Sequence, residues 1–246
     1  MTTGKLQGRT ALGALAVSEL RSSDRWLRPT RPSPSIIASA PAKLIRWSSR
    51  SAKRAGSPAA RAIAIGTDVS QSDAVAQMVK RVNADLGPID ILVNNAGIAI
   101  TRGVDDLSET DFDQTIAVNL KSVFLCTQAV LPMMRSKGWG RIVNISSGAA
   151  RGAGSIGPHY NASKAGMEGL TRGYAARLVK EGITVNAVAP SLIETDMMKG
   201  QHNLVSRIPI GRFGKAEEVA QAVMMLLDNP YMTGQTVAMS GGMAFN

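Results

Sequence analysis

Residues Ser147–Lys164 read S-G-A-A-R-G-A-G-S-I-G-P-H-Y-N-A-S-K, and the apolar run G-R-I-V-N-I-S-S at 140–147 leads into them. A second apolar run, G-I-T-V-N-A-V-A-P-S, follows at 182–191. Both runs have the pattern of buried parallel strands that end in polar residues. Open α/β sheets place their sites at the carboxyl ends of such strands, so the sequence predicts an α/β fold with a polar site around 147–164.

Within this stretch, Tyr160 and Lys164 are four residues apart, which places both side chains on one face of a helix. A free phenol has a pKa of about 10, and an ammonium group about 4 Å away favours the phenolate by about 4 kcal/mol at an effective dielectric of about 20. Desolvation opposes that gain, but the tyrosine can still exchange a proton near neutral pH. The Ser147 hydroxyl would hold the same substrate oxygen. The pair alone is weak evidence, because helices often carry a tyrosine over a lysine stem for structural reasons.

Further motifs along residues 61–246 occur in the order and at the spacing of one enzyme family, including the thirteen residues from Ser147 to Tyr160. They are Asp68-Val69, Asn94–Gly97 (N-N-A-G), Val118-Asn119, Ile145–Ser147, Tyr160–Lys164, Ile193–Met197 (I-E-T-D-M) and Gly241–Met243. By these motifs the chain resembles the short-chain dehydrogenases/reductases. Within that family it is most similar to the 3-oxoacyl-[acyl-carrier-protein] reductases.

The resemblance implies a fold, a reaction and a set of catalytic residues. The fold would be a single Rossmann-like domain over 1–246, a doubly wound parallel sheet with helices on both faces. The reaction would be hydride transfer between a nicotinamide cofactor and a carbonyl or secondary alcohol, with a 3-oxoacyl thioester, either small or bound to an acyl carrier, as the expected substrate. The catalytic set would be Asn119, Ser147, Tyr160 and Lys164, without a metal.

The same resemblance implies NADP as the cofactor, with NAD as the alternative. The positions that would bind it are Asp68, Val69, Asn95, Ala96, Gly97, Tyr160, Lys164, Pro190, Ile193 and Thr195. Ser191 departs from the family pattern, which usually has glycine after this proline. The family pairs its long helices in dimers and tetramers, so a homotetramer is expected.

The family's glycine-rich phosphate loop is missing from its expected place. Residues 4–12 read like the start of the family's first strand, but 13–60 contain only two glycines, with ten serines and five prolines. Residues 1–61 carry 12 Lys/Arg against 2 Asp/Glu, whereas 62–246 carry 16 of each. All of the formal charge of +10 therefore lies in the first quarter of the chain. We predict an irregular basic segment at 13–60, followed by a well-matched core at 61–246.

Three hypotheses account for this segment: a targeting presequence, a nucleic-acid-binding arm, or a shifted reading frame. A presequence should precede the family-like residues, and Trp26 and Trp47 are the only aromatic residues available to stack on bases. The genetic code permits a shifted reading R-S-R-G-I-G-A-A-I over residues 13–22, which has the form of the missing loop and the start of its helix. A frame shift over 13–58 is the favoured hypothesis. The alternative function is then a catalytically inactive chain of the same fold that lacks the phosphate loop.

Periodicity and turn residues predict the elements beyond residue 61. We expect a strand ending at Asp68 and then a helix that Ser70 caps and that ends near Leu86. A second helix should run from Ser108 to about Lys137, with Pro132 kinking or ending it. A Met-rich irregular lid at 196–210 and a helix from Lys215 to about Leu227 should follow.

Composition excludes several classes of protein. The single cysteine, Cys126, rules out an intrachain disulfide and fits a reducing cytoplasm, where it would serve packing. No apolar run is long enough to span a bilayer, so a membrane is not an expected partner. A nucleic acid is not expected either, because only Trp26 and Trp47 accompany the basic segment as aromatic residues. His159, beside Tyr160, is a second candidate base, but the resemblance assigns the proton to the tyrosine.

Overall fold

The computed structural model describes residues 9–14, 35–39, 63–195 and 202–244. Within these ranges seven parallel strands form one sheet in the order β3-β2-β1-β4-β5-β6-β7. The strands are β1 (Thr10–Ala14), β2 (Ser35–Ser39), β3 (Ile63–Ile65), β4 (Ile89–Asn94), β5 (Gly140–Ile145), β6 (Ile183–Pro190) and β7 (Thr236–Met239). The predicted doubly wound parallel sheet is confirmed.

Helices connect these strands and cover both faces of the sheet. They are α1 (Ser72–Leu86), α2 (Glu109–Ile116), a π-helical turn (Ala117–Lys121), α3 (Ser122–Lys137), α4 (Pro158–Leu178) and α5 (Ala216–Asp228). Short 3₁₀ turns lie at Gly148–Ala150, Val179–Glu181 and His202–Arg207. Because the strands run parallel, their carboxyl ends lie at one edge, and the loops that follow them meet there.

The core divides into two layers because successive side chains of a strand point to opposite faces. One layer packs Leu92 and Ile142 against α1 and α3, with Val82 and Val130 among its buried members. The other packs Ile91 and Val143 against α5, with Val223, Leu226 and Leu227 buried. Burying a side chain of this size contributes about 1.5–3 kcal/mol, so both layers stabilise the sheet.

The amino ends of the strands are fixed by a buried carboxylate. Asp90 of β4 accepts hydrogen bonds from Arg9 Nη1 at 3.1 Å, from the Thr10 N–H at 3.0 Å and from Lys137 Nζ at 2.7 Å. These three donors tie β1 and the end of α3 to β4. The cluster lies at the edge of the sheet opposite to the polar ends of β4, β5 and β6.

The prediction of an irregular segment throughout 13–60 is wrong at two places, the first being residues 13 and 14, which belong to β1. Residues Ser35–Ser39 form β2, which pairs in parallel with β1 on one side and β3 on the other. Backbone hydrogen bonds to two neighbouring strands hold the sequence S-I-I-A-S in an extended conformation. Tertiary pairing therefore outweighs local composition here. The remaining positions of that segment, 15–34 and 40–60, lie outside the described residues, and with them the expected phosphate loop.

Four local predictions also need correction. The strand expected to end at Asp68 ends at Ile65. Ser70 is not the helix cap, because the N-cap is the next residue, Gln71; the Ser70 hydroxyl donates to Asp68 Oδ1 at 2.6 Å. Pro132 does not end its helix, which continues to Lys137. The lid predicted to be irregular over 196–210 contains the 3₁₀ turn His202–Arg207, while 196–201 lie outside the described residues.

The continuous helix Glu109–Lys137 is 29 residues long and, by length and composition, apolar enough to cross a membrane. One such helix is by itself weak evidence for a membrane span. Its apolar residues Val130, Leu131 and Met134 pack in the core layer that also contains β4 and α1 residues. A helix that covers the sheet passes the same length and composition test, so this segment is explained by the fold.

Candidate active site

The site is built from the segments that follow β4, β5 and β6, and buried amides align the first two strands. Asn94 Nδ2 donates to Asn144 Oδ1 at 2.9 Å, and Asn144 Nδ2 donates to Thr171 Oγ1 on α4 at 2.9 Å. All three side chains are buried. Sequence reasoning missed this chain of hydrogen bonds. Its signal in the sequence is an asparagine in each of two apolar strands, and the two asparagines, Asn94 and Asn144, are paired in the sheet.

Helix α4 presents Tyr160 and Lys164 on one face, as their spacing predicts. Pro158 at the start of the helix has no N–H to leave unpaired, which favours a helix beginning there. The Lys164 side chain is buried, its Nζ lies 5.7 Å from the centre of the Tyr160 ring, and it donates to the Ile145 carbonyl at 2.9 Å. The phenol ring is half-buried. A buried ammonium group beside a phenol ring favours its negatively charged form.

Ser147 follows β5 and begins the short turn Gly148–Ala150. Its Oγ accepts a hydrogen bond from the Ala149 N–H at 3.2 Å, so its own proton is not used in that contact. The preceding residue, Ser146, donates its hydroxyl to the Lys164 carbonyl at 3.2 Å. The end of β5 is therefore attached to α4 through Ser146 and Lys164, which fixes Ser147 next to that helix.

Asn119 lies in the π-helical turn between α2 and α3 and is fully buried. Its carboxamide accepts from the Ile98 N–H at 2.8 Å, donates to the Ile98 carbonyl at 3.0 Å, and donates to Ser163 Oγ at 3.2 Å. Ser163 in turn donates to the Tyr160 carbonyl at 2.7 Å. Single π-helical turns recur at functional sites, and here the turn contains the residue that joins the loop after β4 to α4.

Gly97 closes the turn after β4 and brings its backbone against these groups. A Cβ at this position would lie 3.4 Å from Asn119 Oδ1 and 3.7 Å from Lys164 Nζ. The structure thus brings Gly97, Asn119, Tyr160 and Lys164 together, with Ser147 attached through Ser146. Asn95 and Ala96 belong to the same turn and are half-buried.

The other expected cofactor positions lie at the same edge of the sheet but farther along it. Asp68 is exposed, and its carboxylate accepts from the Ser70 hydroxyl and the Ser70 N–H at 2.9 Å, two hydrogen bonds that hold the pKa of Asp68 below its usual range. Val69 points into the core instead. Pro190 ends β6, Ile193 bridges to Gly214, and Thr195 is the last described residue before position 202.

Two other titratable side chains, those of His159 and Cys126, are buried in the fold. His159 is fully buried and its Nε2 lies 2.9 Å from the Ile100 carbonyl, which joins α4 to the loop after β4. The thiol of Cys126 is buried in the core, and burial raises its pKa to about 12, so it stays protonated. Among the described residues, no group of three or more His, Cys, Asp or Glu side chains could hold a metal ion.

Sequence reasoning also missed a buried carboxylate below the site. Glu168, one turn after Lys164 on α4, is buried and accepts from Arg151 Nε at 3.0 Å and from Ser146 Oγ at 3.4 Å. Arg151 lies in the glycine-rich loop after Ser147. Burial of a charged group usually requires such pairing, so this ion pair attaches the loop to α4.

Comparison with known proteins identifies the family. Residues 41–244 match a family model described as enoyl-(acyl carrier protein) reductase. A 3-oxoacyl-[acyl-carrier-protein] reductase from Thermotoga maritima is 43% identical over 183 residues, covering 72% of this chain and 74% of that protein. The chain belongs to the short-chain dehydrogenase/reductase family. Membership of this family makes it an oxidoreductase. The match to the family model begins at residue 41, before the first recognised motif at Asp68.

Two further matches agree with this family. A (2S)-[(R)-hydroxy(phenyl)methyl]succinyl-CoA dehydrogenase subunit from Thauera aromatica is 44% identical over 189 residues, covering 74% of this chain and 76% of that protein. A solved structure from Burkholderia xenovorans, described as a short-chain dehydrogenase/reductase, is 28% identical, with a TM-score of 0.85 over 98% of both chains.

Proposed function

We propose that this short-chain dehydrogenase/reductase transfers hydride between a nicotinamide cofactor and the carbonyl carbon of a 3-oxoacyl thioester. The observation that carries the proposal is the buried Lys164 ammonium group, 5.7 Å from the centre of the half-buried Tyr160 ring. A phenol beside a fixed cation can donate a proton at neutral pH and recover it afterwards. The pair gains weight from its surroundings, because Asn119 and the end of β5 are tied to the same helix.

The described residues fit a nicotinamide cofactor at this edge of the sheet. Glycine at position 97 leaves open the space in front of Asn119 and Lys164, which a side chain would fill. Asn95, Ala96 and Gly97 would line the nicotinamide half, together with Pro190, Ile193 and Thr195. Asp68 and the backbone of Val69, whose side chain lies in the core, would flank the adenine. When bound, the cofactor supplies the hydride. NADP is the proposed form, with NAD as the alternative.

The side chains of the chain itself would handle the substrate oxygen. Ser147 would donate its free hydroxyl proton to that oxygen, and Tyr160 would transfer its phenolic proton to the same oxygen as negative charge develops there. Lys164 would stabilise the resulting phenolate. Asn119, held by both polar groups of Ile98, would keep the loop after β4 against α4 and support proton delivery to Lys164.

The substrate class rests on the relatives. The Thermotoga and Thauera proteins are named for substrates that are acyl thioesters, one on an acyl carrier protein and one on coenzyme A. A thioester substrate is the shared feature of these names. We therefore place a 3-oxoacyl thioester in the site described above, with its 3-oxo oxygen between Ser147 and Tyr160.

One observation favours a second candidate function. Glycine is scarce between β1 and β3, where the family's phosphate loop belongs, because 13–60 contain only Gly13 and Gly56. Backbone N–H groups bind a pyrophosphate only where no side chain collides with it. A chain without such a loop would keep the fold and the tyrosine site but would not retain the cofactor.

A direct assay separates the two candidates. The purified chain is mixed with acetoacetyl-N-acetylcysteamine, a small 3-oxoacyl thioester, and with NADPH or NADH at millimolar concentration. Loss of nicotinamide absorbance with formation of the 3-hydroxy product supports the reductase. Absence of product, together with absence of cofactor binding by calorimetry, supports the inactive chain.

A further inference from the structure

Ser191 follows β6 in the same way that Ser147 follows β5. The two strands are parallel neighbours in which Ile145 pairs with Val188, and the Ser146 N–H donates to the Val188 carbonyl at 2.7 Å. Neighbouring strands lie about 4.8 Å apart. Ser147 and Ser191 therefore emerge at the same edge of the sheet, on adjacent strands.

The Ser191 hydroxyl faces the residue next to Ser147. A Cβ built on Gly148 would lie 2.5 Å from Ser191 Oγ, but 3.6 Å from its Cβ and 3.7 Å from its Cα. The hydroxyl is thus the part of Ser191 that comes nearest to Gly148. Glycine at 148 is what allows this approach, because any side chain there would collide with the hydroxyl.

Ser191 is held by its backbone, while its hydroxyl has no partner in the described part of the chain. The Ser191 N–H donates to the Met239 carbonyl at 2.9 Å, which fixes the residue against β7. The residue is half-buried, and no described residue forms a hydrogen bond with its Oγ. This hydroxyl can therefore donate to a ligand that enters the site without first breaking a hydrogen bond within the described protein.

We propose that Ser191 is a specificity-determining residue, which donates a hydrogen bond to the thioester carbonyl of the substrate while Ser147 binds the reacting 3-oxo carbonyl. This inference rests on the proposed function. A 3-oxoacyl thioester has two carbonyl groups separated by one carbon, whereas a simple ketone has one. Two hydroxyl donors on adjacent strands match the first compound and leave one donor unpaired with the second. A site built to bind a particular polar group discriminates against analogues that lack it.

The test compares two substrates in three forms of the full chain: wild type, Ser191→Ala and Ser191→Thr. One substrate is acetoacetyl-N-acetylcysteamine, and the other is the matched ketone in which a methylene replaces the thioester carbonyl. Ser191→Ala should raise KM for the thioester about tenfold, as expected for one lost hydrogen bond, with kcat little changed. The ketone should lose less than about twofold in kcat/KM, and Ser191→Thr should restore the thioester KM.

Ser136→Ala is the matched control, since Ser136 is exposed on α3 and its hydroxyl donates to the Met133 carbonyl at 2.9 Å. The inference is overturned if Ser191→Ala leaves both substrates unchanged or weakens both equally. If wild type reduces the ketone but not the thioester, the substrate class itself is wrong and the inference fails with it. If wild type reduces neither, calorimetric binding of the thioester decides, and equal affinity of wild type and Ser191→Ala refutes the role of Ser191.

Discussion

At the residue scale, the proposed chemistry depends on polar side chains that the fold has removed from water. Lys164 and Asn119 are both buried, and each pairs with a backbone carbonyl of a strand end or loop. These contacts orient the two residues before any substrate arrives. Preorganised polar groups of this kind stabilise developing charge without rearrangement during the reaction.

Asn119 provides a prediction about stability. Asn119→Ala removes the partner of both the Ile98 N–H and the Ile98 carbonyl, which are half-buried. Each unpaired group costs about 1–3 kcal/mol, less where water reaches it. We expect the free energy of unfolding, measured with urea, to fall by about 1–3 kcal/mol. Asn83→Ala, at an exposed position on α1, should change it by less than about 0.5 kcal/mol; equal losses in the two variants would contradict the role of the carboxamide.

Sequence alone could predict some of these residues and not others. Tyr160 and Lys164 are local, because helical spacing places them on one face whatever surrounds them. The partners of Asn119 are not local, since Ile98 is twenty-one positions away and its contact depends on how α2 and α3 pack against the loop after β4. The Arg151–Glu168 pair was missed for the same reason: a charged residue in a helix ordinarily faces solvent, and only the packed structure shows that Glu168 is buried.

At the element scale, helix ends show how competing hydrogen bonds decide boundaries. Ser108, where the helix was expected to begin, caps α2, with Ser108 Oγ accepting from the Asp111 N–H at 3.1 Å. Ser70 does not cap α1, because it lies one residue before the N-cap, Gln71, and its hydroxyl donates to the Asp68 carboxylate. The π-helical turn at Ala117–Lys121 also escaped prediction, since one wider turn leaves the apolar periodicity of the helix almost unchanged.

The start of α5 gives a prediction about pH. The Glu218 carboxylate accepts from the Arg212 guanidinium and, at 2.7 Å, from the Lys215 N–H, which lowers the pKa of Glu218 to about 2. The pKa of Glu218 is lower in the folded state than in the unfolded state, so its ionised carboxylate stabilises the fold. This contribution to stability is fully present above the unfolded pKa of about 4.3 and is lost as the pH falls through about 2. Glu218→Gln should lower Tm at neutral pH, and the difference from wild type should shrink as the pH approaches about 2.

Melting curves from pH 7 downward would measure this effect. Glu109→Gln is the control, because Glu109 also lies in the first turn of a helix, α2, but forms no hydrogen bond through its side chain with another described residue. Its Tm difference should be smaller. A Glu218→Gln difference that grows as the pH falls would contradict the assigned hydrogen bonds.

At the scale of the whole molecule, the sheet was predictable from sequence apart from β2. The strands β4, β5 and β6 are apolar runs bounded by turns, which is the pattern of buried parallel strands. In contrast, β2 is five residues in a segment rich in proline and arginine, and only its pairing with β1 and β3 makes it a strand. Pairing across a sheet joins residues far apart in the chain, so composition could not reveal it.

The same scale includes the expected homotetramer. Phe112 on α2 and Phe124 on α3 are 43% and 44% exposed, so two aromatic side chains of this continuous helix are available to a partner. We predict that a second copy covers this helix and that the closed assembly is a tetramer with two-fold axes. Light scattering should give a tetramer for wild type and smaller species for Phe124→Glu. Tyr231→Glu, at a 96% exposed position away from this helix, should remain a tetramer; a monomeric wild type would contradict the prediction.

The segment before β3 is where the family's phosphate loop belongs, so we expect it to determine how tightly a nicotinamide cofactor binds. We compare the chain as it stands with a version whose residues 13–58 are translated in the shifted frame. Only the second version has a glycine-rich loop for the pyrophosphate. We therefore predict that the chain as it stands binds NADP or NAD at least about a hundredfold more weakly. Calorimetric titration of both chains with each cofactor measures this ratio. Micromolar binding by the unaltered chain would show that 13–58 provide a phosphate site of another kind.

The proposed reductase is tested most directly by hydride transfer to acetoacetyl-N-acetylcysteamine, at millimolar cofactor, in wild type, Tyr160→Phe and Tyr174→Phe. Tyr174 lies on the same helix, where its hydroxyl accepts a hydrogen bond from Gln128 Nε2 at 3.0 Å, so its variant is a matched loss of a phenolic hydroxyl. Unfolding curves first establish that all three chains are folded. Tyr160→Phe should then reduce kcat at least about a hundredfold, the scale of lost general acid catalysis. The kcat of Tyr174→Phe should stay within about threefold of wild type. Turnover by Tyr160→Phe near the wild-type rate would contradict the assignment of Tyr160 as the proton donor.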